Sequence, residues 1–347
     1  MKNEFKLIIF GLLIVVVLSG CQGAPERNEE LTVYTSIYPL YEVANRVAGD
    51  KLNVKLVVPN GAELHSYRPT PKQIANLEDA DLFFYNGLGL EPWAKKVENN
   101  LKQSKEKIIN ISQHVNLIEY KKHQTITKET ATTDHSNEHE EHKHEEHKHE
   151  EHKHEEHKHE EHKHEHNHSS KYDPHLWLDP VNMKLIAEKM KEEFVSLDPA
   201  NKENYRKNYQ KFAEKITQLD KKYQSSLANK QQNHILVSHS AFGYLGRRYD
   251  FKQLSVTGVA PHEEPSPGVL AKLTTQAKEH NLDYIFMETL ASPKTVNVLA
   301  EEANLQVLEL NPVAGLTKDE KESGDNYFTL MYQNLDNLKK ALVEENE

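Results

Sequence analysis

The sequence predicts an α/β chain of two lobes, each with a four-stranded, mostly parallel sheet, joined by one long rigid α-helix. Three observations predict it. Short runs rich in Val, Ile, Leu, Phe and Tyr alternate with helix-like stretches, the pattern of βα units that build parallel sheets. That alternation occurs twice, with four candidate strands on each side of the middle of the chain. Between the two sets lies a single apolar stripe at helical spacing, where a flexible hinge would need Gly and Ser.

The chain opens on an address. Lys2 and Lys6 precede an apolar stretch, Leu7 to Leu18, that is too short to span a bilayer comfortably and is followed by small residues. Residues 1–20 therefore read as a signal peptide. Leu18-Ser19-Gly20-Cys21 resembles a bacterial lipobox, in which the cysteine is acylated and becomes the mature N-terminus. Two or three acyl chains hold a protein on a membrane far better than one. The expected location is the extracytoplasmic face of the cell membrane, with residues 21–30 as a tether. Cys21 is the chain's single cysteine, so any metal in the folded part must be held by His, Asp and Glu.

The first lobe begins at 31 and runs to 120. Its candidate strands are Leu31–Ser36, Asn53–Val58, Asp81–Tyr85 and Lys107–Ile111, separated by helix-like stretches such as Pro39–Ala48 and Thr70–Glu78. Residues 121–170 are expected to be a disordered His-rich loop, and 171–198 complete the lobe. At 199–230 comes the linker: Asp198 is a helix cap with Pro199 at the first position. Tyr205, Tyr209, Phe212, Ile216, Leu219, Tyr223 and Leu227 then recur at spacings of four and three. This is a helix of about thirty residues, roughly 45 Å long. The second lobe, 231–347, repeats the strand pattern at His234–Ser238, Phe251–Val256, Tyr284–Glu288 and Gln306–Leu310, with helices at Pro267–Glu279 and Lys294–Ala303.

Fourteen of the 22 histidines lie between His135 and His168, where Glu-Glu-His-Lys-His repeats in tandem. The repeat supplies His142, His144, His147, His149, His152, His154, His157, His159, His162 and His164. Its five-residue period matches neither helix nor strand, and it has no apolar residue to bury, so it cannot offset the entropy of ordering. Neutral imidazole is the commonest protein ligand for zinc. The run reads as a weak, multivalent zinc collector that raises the local concentration of ligand, with selectivity residing elsewhere. It also holds thirteen acids against five lysines from Asp134 to His168, and so most of the net charge of −11. The remainder is mildly acidic with no basic patch, which excludes nucleic acid as a partner.

Among the eight histidines outside the run, context separates three. His65 follows the second strand in Gly61-Ala62-Glu63-Leu64-His65-Ser66-Tyr67, and His239 follows the strand His234–Ser238. Both stand at carboxyl ends of strands, where open α/β sheets bind ligands. His175 lies between two prolines in Asp173-Pro174-His175-Leu176-Trp177-Leu178-Asp179-Pro180. Glu288 closes an apolar strand, a place where an unpaired carboxylate is costly. Three imidazoles and one carboxylate make a tetrahedral N/O site suited to Zn²⁺.

These segments, with Ala80-Asp81-Leu82-Phe83-Phe84-Tyr85-Asn86-Gly87, Ser238-His239-Ser240-Ala241-Phe242 and Leu310-Asn311-Pro312, resemble the solute-binding component of bacterial zinc ABC transporters over essentially the whole mature chain. The resemblance implies two lobes joined by one rigid helix and metal ligands at His65, His175, His239 and Glu288. It also implies a monomer that delivers Zn²⁺ to an ABC permease and its cytoplasmic ATPase. Related manganese binders carry a carboxylate in place of the third histidine; His239 favours zinc, because Mn²⁺ prefers oxygen. Glu63 stands two residues before His65, not beside it as in members that use a glutamate ligand. His262, in a Pro-rich loop, is expected at the cleft rim as a solvated residue. A zinc hydrolase is the rival of another class, but it needs an open water position and a general base, and no His-Glu-x-x-His occurs in the lobes. A surface metal buffer or adhesin using the run alone is the third reading.

Overall fold

A computed structural model describes residues 30–100, 108–120, 171–259, 265–288 and 293–344. The expected signal peptide, Cys21 with most of its tether, the whole His-rich loop and His262 lie outside the described residues. The segment Thr32–Glu347 forms one unit that contains both sheets.

The first sheet contains β1 (Thr32–Thr35), β2 (Asn53–Leu56), β3 (Leu82–Tyr85) and β4 (Ile108–Asn110) in the order β2-β1-β3-β4. The second contains β5 (His234–His239), β6 (Lys252–Thr257), β7 (Tyr284–Met287) and β8 (Gln306–Glu309) in the order β6-β5-β7-β8. The orders are the same, and the strand pairs are parallel throughout. Parallel neighbours need crossover connections, which is why helices separate the strands in sequence. They also cover both faces, so β3 is buried along all of Leu-Phe-Phe-Tyr. In each sheet the strand order reverses beside the first strand, between β1 and β3 and between β5 and β7. Such a reversal opens a crevice at the carboxyl ends of those strands.

The helices of the first half are α1 (Tyr38–Ala48), α2 (Pro71–Glu78), α3 (Ala94–Asn100) and α4 (Pro180–Leu197). Helix α2 starts where Thr70 and Gln73 form a capping box. Helix α4 starts where the Asp179 carboxylate accepts the Val181 N–H at 2.8 Å, with Pro180 in the first turn. The linker is α5 (Lys202–Ser226), followed by α6 (Gly243–Tyr249), α7 (Pro267–Glu279), α8 (Pro293–Ala303), α9 (Lys318–Ser323) and α10 (Tyr327–Leu342).

The linker differs from expectation at its start. A 3₁₀ turn, Pro199–Asn201, precedes α5, whose 25 residues span roughly 37 Å. Asp198 does not cap the helix. One carboxylate oxygen, Oδ2, accepts both the Tyr205 hydroxyl at 2.6 Å and Asn201 Nδ2 at 2.7 Å. The apolar stripe is buried as expected except Tyr209, which is half-buried under Lys191.

Each half of α5 is fastened to a different lobe. Tyr205 packs edge-on against Phe194 of α4, which packs edge-on against Phe84 of β3. Further along, Tyr223 stacks on Tyr249 of α6 and donates to the Met331 carbonyl of α10 at 2.5 Å. Arg248 of α6 clamps both Asp220 oxygens at 2.8 Å and reaches Asp179 of α4 at 3.3 Å. One guanidinium thus ties the linker to both lobes, in the fork geometry that suits arginine.

Burial pushes the Asp220 carboxyl up, but hydrogen bonds from Arg248 and Tyr249 and the guanidinium charge outweigh it and hold the pKa below its ordinary 3.8. A depressed folded pKa stabilises the protein fully above the unfolded value, and that contribution disappears as pH falls through the folded one. Asp220→Asn is therefore expected to cost about 1.5–3 kcal/mol at neutral pH, the range for hydrogen bonds to charged groups. The gap between variant and parent should narrow as pH falls past the ordinary Asp value and close only below the depressed folded one. Urea unfolding of both proteins at pH 7 and pH 3 measures it.

Candidate metal centre

His65 is set by a tight turn after β2. The Glu63 carboxylate accepts the backbone N–H of His65 at 3.0 Å and of Ser66 at 2.8 Å, so Glu63 shapes the loop. The Leu316 N–H of the second lobe donates to Asn60 Oδ1 at 3.3 Å, holding the far side of the same loop.

His175 opens the 3₁₀ turn Leu176–Leu178, whose three side chains are fully buried. Its loop is moored in the first lobe's crevice. Asn86 Nδ2, just beyond β3, donates to the Pro174 carbonyl at 2.9 Å. Asn86 is itself placed by Glu91, whose carboxylate accepts the Asn86 N–H at 2.9 Å, the Gly87 N–H at 3.1 Å and the Ser36 hydroxyl from the end of β1. Burial pushes the Glu91 carboxyl up, and these donors offset part of that push. Gly87, at φ +87°, is required here, because a Cβ would run into Asn110 Oδ1.

His239 ends β5 and Glu288 follows β7, so both stand at the reversal of the second sheet. The Ser238 hydroxyl donates to Glu288 Oε1 at 2.6 Å. The same serine–glutamate pairing therefore sits in both crevices, as Ser36 with Glu91 and as Ser238 with Glu288.

The fold brings the three histidines together. One ring nitrogen from each of His65, His175 and His239 lies within 4.8 Å of the other two. His175 and His239 are buried and His65 is half-buried. Nε2 of His175 and Nε2 of His239 stand 3.3 Å apart. Two imidazoles on one tetrahedral zinc, with Zn–N near 2.05 Å, need roughly that separation.

The other ring nitrogens explain why this pair points at a cation. Asp173 Oδ1 meets Nδ1 of His175 at 2.8 Å, and Glu288 Oε1 meets Nδ1 of His239. A carboxylate acceptor there places the proton on Nδ1, which leaves a bare lone pair on Nε2. Two such Nε2 atoms 3.3 Å apart, converging with a ring nitrogen of His65, make a nitrogen donor set that suits Zn²⁺.

Glu288 is brought to the site but stands on the outer side of His239, against Nδ1, and not among the clustered nitrogens. Asp173 belongs to the same motif as His175 and is not singled out by residue type. Its signal was its place two residues before a candidate ligand, where its side chain can reach back to the ring.

The family model "Zinc-uptake complex component A periplasmic" matches residues 33–341. The high-affinity zinc uptake system protein ZnuA of Bacillus subtilis is 36% identical over 323 residues, 92% of this chain and 90% of that one. The zinc-binding lipoprotein AdcA of Streptococcus pneumoniae is 32% identical over 338 residues, 97% of this chain but 61% of that one. The Zn(II)-bound ZnuA-like domain of that AdcA superposes with a TM-score of 0.69 at 30% identity, covering 91% of this chain and 100% of the domain. With its paired parallel sheets and its histidine cluster between them, the chain belongs to the zinc-uptake component A family of solute-binding proteins.

Proposed function

We propose that this protein captures Zn²⁺ outside the cytoplasm between its two lobes and delivers it to the permease of an ABC transporter, as a lipid-anchored monomer held by acylated Cys21. Its role is binding, not catalysis. The observation that carries the reading is the 3.3 Å approach of two imidazole nitrogens whose other nitrogens face carboxylates, with His65 closing the cluster.

His65 and His175 are the ligands from the first lobe and His239 is the ligand from the second. Glu288, beside His239, is the carboxylate available for the fourth place. Metal then ties the lobes together. The doubly fastened α5 limits the movement to a small rocking, and docking on the permease releases the ion by separating the ligands.

The His-rich run serves this site as an accessory collector. Its described flanks support that role. Glu119 and Tyr172 form an antiparallel bridge, Tyr120 N–H donates to the Lys171 carbonyl at 2.8 Å, and Lys171 pairs with Glu119 at 2.6 Å. The two ends of the segment therefore leave the lobe at one point. Lys171 precedes His175 by four residues, a reach of at most about 14 Å.

Metal analysis of protein purified without chelator tests the reading. A chain lacking residues 135–168 should keep one Zn²⁺ after desalting, and excess Mn²⁺ should not displace it. A shortened chain that retains no zinc would overturn the proposal.

A further inference from the structure

We infer that Asp173 is the positioning residue of the ligand His175, and that the second lobe holds this carboxylate in place through Gly243 and Tyr244. The inference rests on the zinc reading and goes beyond it, since Asp173 touches no ion.

Asp173 is 2% exposed. One of its oxygens, Oδ1, accepts two donors from the same residue: the His175 backbone N–H at 2.9 Å and the ring Nδ1 at 2.8 Å. The first fixes the turn, and the second fixes the ring's rotation and its tautomer. An outer carboxylate of this kind also raises the basicity of the metal-binding nitrogen.

The carboxylate has little room to move. A Cβ on Gly243 would lie 2.6 Å from Asp173 Oδ2, so the start of α6 approaches the carboxylate as closely as a glycine allows. The next residue, Tyr244, donates its hydroxyl to the Asp173 carbonyl at 3.0 Å. From the first lobe, the Asp173 N–H donates to the Ile118 carbonyl at 3.0 Å. Backbone and side chain of Asp173 are thus gripped from both lobes, and the aim of His175 depends on where α6 sits. A cavity of about 530 Å³, lined by Asp173, Gly243, Arg247 and Glu119 among others, opens behind this contact.

A bland alternative is that Asp173 only shapes the turn. Asp173→Asn separates the two roles, because its amide oxygen keeps the turn and the hydrogen bond but not the charge. The full chain, bearing Asp173→Asn, Asp173→Ala or Gly243→Ala, is titrated with Zn²⁺ beside the parent. Co²⁺ spectra and the ¹⁵N shifts of His175 are recorded on the same samples. Expected are affinity losses of about 10-fold for Asn and about 100-fold for Ala, the span measured for outer-shell partners. Gly243→Ala should fall between them, with an altered Co²⁺ spectrum although no ligand has changed. In metal-free Asp173→Ala the His175 ring should lose its fixed Nδ1–H tautomer. Parent-like zinc affinity and Co²⁺ spectrum in Asp173→Asn would overturn the inference, as would a tautomer unchanged in Asp173→Ala. Failure of the parent itself to bind zinc would instead overturn the reading of the site.

Discussion

A chain carrying His175→Ala will bind zinc at least ~10²-fold more weakly than the parent, since losing even an outer partner of a metal ligand costs 10–100-fold. The substitution removes one of the two nitrogens that approach to 3.3 Å, and it leaves Asp173 buried without the ring it holds. A chain lacking residues 135–168 is expected to keep the high-affinity event and lose only weak, multiple binding. Calorimetric titration separates the two. Thermal unfolding gives an independent reading, because a ligand that binds only the folded state stabilises it. At a thousandfold excess over Kd the gain is about 4.1 kcal/mol, and a 100-fold weaker site under the same zinc retains about 1.4 kcal/mol. The reverse pattern, with His175→Ala harmless and the deletion fatal, would move the binding function to the run.

The histidine cluster was legible in the sequence for a physical reason. His239 closes one strand-like apolar run and His65 lies in the loop after another, and the carboxyl ends of such strands share one edge of an open sheet. His175 was legible through its rigid Pro-flanked motif. What the residues alone do not tell is which ring atom meets which oxygen. Both Asp173 and Glu288 are carboxylates near a histidine, and only the folded backbone places them at Nδ1.

The strands were equally readable, to within a residue or two at each end, because each is a short Val-, Leu- or Phe-rich run with clear borders. Helix α4 carries its signals in the sequence. Asp179-Pro180 is a cap followed by a first-turn proline, and Met183, Ile186, Ala187, Met190 and Phe194 are buried at helical spacing. Asp198 is the opposite case: the Asp-Pro signal is present, but it opens the 3₁₀ turn Pro199–Asn201, and α5 starts only at Lys202.

Trp177→Ala is expected to produce the largest loss of stability of any single change near the site. Trp177 is completely buried, joins the lobes through two hydrogen bonds and packs on a histidine of the cluster. Its indole N–H donates to the Pro312 carbonyl, beyond β8, at 2.7 Å. Its own carbonyl accepts the Tyr327 hydroxyl of α10 at 3.0 Å. Its ring packs edge-on against His175, with centroids 5.5 Å apart. Truncation to alanine removes that packing and leaves a cavity, costing about 3–5 kcal/mol. Trp177→Phe keeps most of the volume but orphans the Pro312 carbonyl, costing about 1–3 kcal/mol. Urea unfolding of the metal-free proteins measures both. The two variants also divide the indole's roles at the metal. If ring packing steadies His175, zinc affinity should fall in the alanine variant and largely survive in the phenylalanine one. If instead the Pro312 bond sets the lobe spacing, phenylalanine should weaken zinc almost as much as alanine does. The edge-on contact with His175 is direct, whereas Pro312 lies outside the histidine cluster, so packing is expected to dominate.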